Sequence, residues 1–335
     1  MGQSFQRILV TGGCGFIGSN LVRMLRRERP DAEVVNLDAL TYAGNPANLA
    51  DLEDDPGYRF IHGDIRDRAT VDRAMDGCDA VMHLAAESHV DRSIIDSLPF
   101  VRANVEGTQV LLDAARARAG SGTPVRRFLH VSTDEVYGQL PLDRPDLLFT
   151  ESTPLAPSSP YSASKAASDM LALAAHHTHG LPVVVTRCSN NFGPYQYPEK
   201  VIPLFVTNLM EGTTVPLYGD GRNVRDWLHV EDHCEALLAV AERGTDGGVY
   251  NIGGNNERSN LELTRTILEL MGLGEDRIVR VADRLGHDLR YAIDATRMRE
   301  EIGWEPTRSA WPDALQGTIE WYRANPRWWE PLKKR

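Results

Sequence analysis

The stretch Ile8–Leu25, ILVTGGCGFIGSNLVRML, passes from an apolar strand-like run through a glycine turn into a helical pattern. Gly12, Gly15 and Gly18 permit a tight turn and close backbone approach, and the helix that follows presents its N-terminal amides and positive dipole end to a pyrophosphate. Phe16 and Ile17, between the last two glycines, are placed against the same ligand. Asp38 ends the next strand-like run, twenty residues after Gly18. A carboxylate there binds a ribose 2′-hydroxyl and repels a 2′-phosphate, so the expected cofactor is NAD rather than NADP.

Working outward, apolar runs at Arg7–Val10, Val34–Leu37, Tyr58–His62, Ala80–Leu84, Arg127–Val131 and Pro182–Thr186 alternate with helix-length segments. That rhythm predicts a doubly wound α/β fold, a parallel Rossmann sheet covered on both faces. After about residue 190 it breaks into Gly-, Pro- and Asn-rich loops with helices at about Ile202–Met210, Val230–Arg243, Leu261–Met271 and Pro312–Tyr322. The expected division is a dinucleotide-binding domain over residues 1–190, with segments of about 225–255 returning to it, and a smaller mixed α/β substrate-binding part over 191–335. Asp64 and Ile65 after "FIHG", and Ala85 and Ala86 after "VMHL", fall at later strand ends, where the adenine and the second ribose would lie.

The chain has 335 residues, 42% of them hydrophobic, which suits an ordinary globular protein. Its formal net charge of −11 argues against a nucleic-acid partner. Cys14, Cys78, Cys188 and Cys234 form no CxxC pair, and no apolar run approaches the roughly 18 residues of a spanning helix. A cytoplasmic protein with no membrane partner is expected. "HHTHG" at His176, His177 and His179 lacks a carboxylate or cysteine to complete a ligand set, so no metal is expected. Trp328 and Trp329 mark either a partner surface or a C-terminal tail packed on its own domain.

"YSASKAASDMLAL" places Tyr161 and Lys165 on one helix face, one turn apart. A phenol ordinarily titrates near 10, so it becomes a base at neutral pH only when a nearby cation stabilises the phenolate. Lys165 can supply that charge, and Thr133 closes the fifth strand beside it. The following residues, "STDEVYG", add two adjacent carboxylates, Asp134 and Glu135.

TGGxGFIG, YxxxK and a strand-end Ser/Thr resemble the extended short-chain dehydrogenase/reductase superfamily. More narrowly, "STDEVYG", "AAESHVDRS", "YSASKAASD", "SNNFGPYQYPEK", "YGDGRNVRDWLHVEDH" and "GHDLRYAID" resemble the dTDP-glucose 4,6-dehydratases over about Arg7–Trp321. The resemblance implies a homodimer with tightly held NAD, formed through two helices per subunit including the one carrying Tyr161. It implies a lyase in deoxysugar biosynthesis, with Asn104 as the superfamily's fourth polar residue, on the cofactor side with Tyr161 and Lys165. It makes Glu135 the base at C5, Asp134 the acid at the C6 oxygen, and Thr133 a hydrogen-bond partner of the oxygen at C4.

For the nucleotide sugar it implies contacts from Ser88, Asn190, Lys200, Val201, Pro216, Tyr218, Arg225, Asn260, Arg284, His287 and Tyr291. Leu285, Phe192 and Val201 stand where the family usually has proline, often tyrosine, and usually leucine. These departures flank the proposed phosphate and base sites, so the same reaction on UDP- or CDP-glucose stays open. A sugar 4-epimerase on the same scaffold needs no base at C5, a decarboxylase needs a basic site for a ring carboxylate beyond the phosphate arginines, and a non-catalytic NAD sensor needs neither Tyr161 nor Lys165.

Overall fold

The computed structural model describes residues 2–283 and 286–333. Strands β1 (Arg7–Thr11), β2 (Glu33–Asp38), β3 (Tyr58–His62), β4 (Ala80–His83), β5 (Arg127–Thr133) and β6 (Val183–Cys188) follow the apolar runs. Helices α1 (Phe16–Glu28), α2 (Arg68–Ala74), α3 (Val90–Ile95), α4 (Leu98–Phe100), α5 (Gly107–Ala117) and α6 (Pro160–His179) lie between them, a π-helical turn joining α4 to α5. β7 (Asn190–Phe192), α7 (Val201–Met210), β8 (Val215–Tyr218), β9 (Val224–His229), α8 (Val230–Arg243) and β10 (Val249–Ile252) continue the chain. β11 (Glu257–Ser259), α9 (Asn260–Met271), β12 (Ile278–Val281), α10 (Asp313–Ala324) and α11 (Pro326–Lys333) complete it.

The main sheet has seven strands in the order β10-β6-β5-β4-β1-β2-β3, every neighbouring pair parallel. Strand order reverses between β1 and β4, which opens the ligand crevice at their carboxyl ends. Alternate residues face opposite layers. Ile8 and Val10 meet Leu21 and Leu25 of α1 and Leu237 and Val240 of α8, whereas Leu9, Val35 and Val81 share a second core with Val71, Leu111 and Ala172. Both faces are therefore apolar, which is why these strands read as continuous hydrophobic runs.

A third core gathers Phe192, Ile202, Phe205, Leu263, Ile267, Leu315, Ile319 and Trp329 beside the three-stranded sheet β11-β9-β7 and the pair β12-β8. α8 and β10 belong to the first core and main sheet instead. Buried Arg127 ties them in, donating to the carbonyls of Ala241 and Gly244 at 2.9 and 2.7 Å and pairing with Asp246 at 2.6 Å.

β5 and β6 outrun the predicted strands because pairing continues through Ser132 with Arg187 and Thr133 with Cys188. Thr133 thus closes β5, and "NNF" after Cys188 crosses to the smaller sheet. The tail packs on its own chain: Trp329 is in the third core, and Trp328 Nε1 donates to Asn48 Oδ1 at 2.8 Å. All four cysteines are free and buried, and among the described residues no helix is long and apolar enough to cross a membrane.

Candidate active site

A cavity of about 420 Å³ occupies the crevice. Gly12, with φ +74°, forms its floor; a Cβ there would lie 2.8 Å from the Ala85 backbone. At Gly18 a Cβ would come 2.1 Å from the Gly12 carbonyl oxygen, so strand, turn and helix close up only with glycine at both positions. Gly15, Phe16, Ile17, Asp64, Ile65, Ala85 and Ala86 line the same wall.

Asp38, at the end of β2, accepts from Cys14 N at 2.9 Å and Leu40 N at 2.7 Å, one bond to each carboxylate oxygen. Each oxygen keeps capacity for a hydroxyl donor, and burial pushes the carboxyl above its usual range. The arrangement fits a dinucleotide whose ribose carries a 2′-hydroxyl. Asp64 is less available: the Arg66 guanidinium grips it with contacts of 2.5 to 3.0 Å.

The catalytic candidates converge at the far end. "SSPYSASK" starts α6 with Ser159 as N-cap, Pro160 at the first turn and a reciprocal capping box with Ser162. That fixes Tyr161 in the first turn, where its backbone N–H reaches Ser93 Oγ at 3.2 Å. Lys165, one turn on and 4% exposed, donates to the Val131 carbonyl at 2.8 Å. Burial brings its ammonium down to about 8.

Asp134 and Glu135 leave the end of β5 on a single 3₁₀ turn capped by Thr133, whose Oγ1 accepts from Glu135 N at 3.3 Å. Tyr161, Lys165, Thr133, Asp134 and Glu135 all line the one cavity.

The two carboxylates are not equivalent. Asp134 is 1% exposed, and burial, then the charge of Glu135, hold its carboxyl well above the usual range. Its Oδ2 is buried with no hydrogen-bond partner in the structure, as is Asn190 Oδ1 on the same wall. Orphaned polar atoms lining a cavity are groups for a ligand to satisfy. Burial, then Glu135, also raises the Tyr161 phenol. The site accordingly pairs a buried carboxyl that resists ionisation with a phenol that needs cationic help to ionise.

Asn104 does not line this cavity. Its amide clamps the backbone of Glu87, accepting from its N–H at 2.8 Å and donating to its carbonyl at 3.0 Å, and donates to Ser164 Oγ at 2.8 Å. It shapes the loop carrying Ala85, Ala86 and Ser88 from one layer back.

Of the nucleotide-sugar candidates, Ser88, Asn190 and Lys200 line the cavity, with Lys200 Nζ 3.3 Å from the Ser88 carbonyl oxygen. Val201, Pro216, Tyr218, Arg225, Asn260, His287 and Tyr291 do not line this cavity. Buried Arg225 lies 4.2 Å over the Tyr291 ring and donates to the Asp288 carbonyl at 3.0 Å. Tyr218 on β8 packs edge-on against His287 at 6.2 Å, and His287 Nδ1 sits 2.6 Å from Asp283. Val201 opens α7, Pro216 is on β8 and Asn260 opens α9. Arg225 and Tyr291 border the two carboxylates of the 3₁₀ turn: Arg225 opposes the rise at Asp134, and Glu135 adds to burial in raising Tyr291. Arg284 and Leu285 lie outside the described residues.

Sequence reasoning missed Thr41, Tyr42, Gln196, Tyr197 and Glu199, which also line the cavity. The signal was the motifs "TYAGN" after Asp38 and "YQYPEK", but spacing alone does not say which loop residues face inward. Among the described residues no group of three or more His, Cys, Asp or Glu could hold a metal ion.

The family model described as GDP-mannose 4,6 dehydratase matches residues 9–311. A dTDP-glucose 4,6-dehydratase of Streptomyces niveus is 56% identical over 332 residues, 98% of this chain and 96% of that protein. One from Streptomyces antibioticus is 54% identical over 333 residues, 98% of this chain and 96% of that protein. The crystal structure of DesIV, a dTDP-glucose 4,6-dehydratase from Streptomyces venezuelae with NAD and TYD bound, superposes with a TM-score of 0.92 at 52% identity, covering 98% of this chain and 100% of that one. With the glycine cradle, the Tyr161–Lys165 helix and the Thr133-Asp134-Glu135 turn converging on one cavity, the chain belongs to the dTDP-glucose 4,6-dehydratase family.

Proposed function

We propose that this protein is a dTDP-glucose 4,6-dehydratase that holds NAD, and the observation that carries the reading is the buried Asp134 beside Glu135 in the cavity of Tyr161 and Lys165. Bound NAD supplies a hydride acceptor at C4 of the sugar and later a hydride donor at C6, so it ends as it began. Tyr161, with Lys165 favouring its phenolate, removes the 4-hydroxyl proton, and Thr133 hydrogen-bonds the oxygen at C4. The C4 ketone makes the C5 hydrogen acidic. Glu135 takes that proton while Asp134 gives its own to the C6 oxygen, which leaves as water. C5 is then reprotonated, giving the dTDP-4-keto-6-deoxyglucose product. Each positioned proton transfer contributes about 10²- to 10⁴-fold.

An epimerase has no use for this elimination pair, and the depth of Asp134 speaks against a solvent-facing turn residue. Asn104 is assigned to the cofactor side through the Glu87 loop. Ser88, Asn190, Lys200, Val201, Pro216, Tyr218, Arg225, Asn260, His287 and Tyr291 are assigned to the nucleotide sugar, residues 1–190 with about 225–255 to the cofactor domain, and 191–335 to the substrate part. A cytoplasmic location accords with four free buried cysteines.

The test is turnover by purified protein, with no added cofactor, of dTDP-glucose and UDP-glucose in parallel. The 4-keto product is expected from dTDP-glucose with the retained cofactor alone, and more slowly from UDP-glucose. No product from dTDP-glucose, even after adding NAD, overturns the reading.

We infer a homodimer, and an exposed apolar face supports it: Ile95, Leu98, Val101 and Met170, on α3, α4, the π turn and α6, are 86, 50, 48 and 52% exposed. An exposed apolar face of this kind marks an interface. Light scattering should give twice the chain mass for the wild type and the chain mass for Ile95→Glu/Leu98→Glu; an unchanged mass in the variant places the interface elsewhere.

A further inference from the structure

The helix face that carries Tyr161 and Lys165 continues one turn further to Asp169, and the surroundings of that carboxylate are unusual. Asp169 is 0% exposed. Its Oδ2 pairs with Arg187 Nε at 2.9 Å, and Arg187 is held by the Tyr137 hydroxyl at 2.9 Å, which in turn donates to Asn251 Oδ1 at 2.7 Å. Oδ1 lies 3.3 Å from His130 Nε2. A carboxylate buried this deeply is costly even when paired, so its position needs a reason.

The reason is in β5. Two consecutive residues of that strand hold the two charges of the helix: the Val131 carbonyl accepts from the Lys165 ammonium at 2.8 Å, and the His130 ring meets Asp169. We propose that Asp169 is a positioning residue for the reaction, a fixed buried anion behind Lys165 that keeps the ammonium charged while Tyr161 acts as base.

The other ionisable groups around Lys165 do not substitute for it. From β4, His83 is fully buried between the Thr11 and Thr108 hydroxyls at 2.7 and 2.9 Å, and burial pushes it well below its ordinary range. From β5, His130 is lowered by burial and then by Lys165 itself. From β6, burial pushes the Cys188 thiol up to about 12, and Arg187 is a cation. On the 3₁₀ turn burial and then Glu135 hold the Asp134 carboxyl well above its usual range, and Glu135 faces the cavity; Tyr161, on the helix itself, titrates in the reaction. Burial would raise Asp169, yet His130, Arg187 and Lys165 together hold it below the usual carboxylate range. It stays an anion throughout the working pH.

The sign follows. Lys165 is charged below about 8 and loses its proton above it. Removing the anion makes the charged form less favourable, so the loss moves to lower pH. The inference rests on the dehydratase reading of Tyr161 and Lys165, and the experiment separates the two. The pH profile of kcat/KM for dTDP-glucose is measured for wild type, Asp169→Asn and Asp169→Glu, with Tm and bound NAD recorded for each. In Asp169→Asn, which keeps an acceptor for Arg187, the alkaline limb is expected to move to lower pH by about one unit. In Asp169→Glu, which keeps the charge and strains the packing, the limb is expected to stay in place even where Tm falls. An unmoved limb in Asp169→Asn, or a limb that moves equally in Asp169→Glu, overturns the inference and leaves Asp169 a structural ion pair. Should Asp169→Asn fail to fold, Asp169→Ser is measured in its place, with the same fall of the alkaline limb expected and an unmoved limb overturning the inference. A wild type that does not turn over dTDP-glucose at all overturns the dehydratase reading instead.

Discussion

Glu135→Gln is expected to oxidise the sugar and then stop. Mixed with dTDP-glucose, the variant should develop the absorbance of reduced nicotinamide and keep it, because the hydride accepted from C4 has no C6 carbon to return to until water has left. Turnover should fall by about 10²- to 10⁴-fold, the usual worth of a positioned proton transfer. The substitution preserves the 3₁₀ turn, since the bond from the backbone N–H at this position to Thr133 Oγ1 does not involve the side chain. A stopped-flow trace in which the variant shows neither reduced cofactor nor product would place Glu135 in the oxidation step. Wild-type turnover in the variant would remove it from the chemistry.

Tyr161→Phe should fail one step earlier. The ring is buried against Phe100, with centroids 6.4 Å apart, so the phenyl group keeps the packing and loses only the hydroxyl. Turnover is again expected to drop about 10²- to 10⁴-fold, here with no reduced nicotinamide at any time. The same trace thus separates the two variants: reduced cofactor trapped in Glu135→Gln and absent in Tyr161→Phe. Accumulation of reduced cofactor in Tyr161→Phe would show that another group removes the 4-hydroxyl proton.

The fold was legible because its strands are buried on both faces, leaving uninterrupted apolar runs, and because the turn at Gly12 admits no side chain. The return of α8 and β10 to the main sheet was visible only as a broad segment, since the contact that seats it, buried Arg127 under Ala241 and Gly244, joins residues more than a hundred positions apart. Tyr161 and Lys165 were legible from helical spacing, and their convergence with Thr133 from strand ends meeting at a switch point. The unequal environments of Asp134 and Glu135 are a matter of depth, and depth is not written in "STDEVYG".

Asn104 was placed on the cofactor side by resemblance, and in the structure its amide engages Glu87 and Ser164, one layer behind the cavity. Asp169 escaped notice because an acid one turn after a lysine normally forms an exposed i,i+4 pair. Only its burial beside His130 and Arg187 gives it another meaning. The proposed nucleotide contacts rested mainly on resemblance, with Arg225 and Arg284 also read as the cations a diphosphate needs. Their side chains come from β8, β9, α7, α9 and the 286–291 loop, segments whose mutual approach no local pattern encodes.

The most direct measurement is a mass spectrum of the sugar nucleotide after the purified protein, with no added cofactor, has acted on dTDP-glucose in deuterated buffer. Oxidation, elimination and hydride return within one site predict the loss of one water and the gain of one non-exchangeable deuterium, at C5. A product of unchanged composition would make the protein an epimerase, and loss of water without deuterium at C5 would contradict the assignment of Glu135 and Asp134.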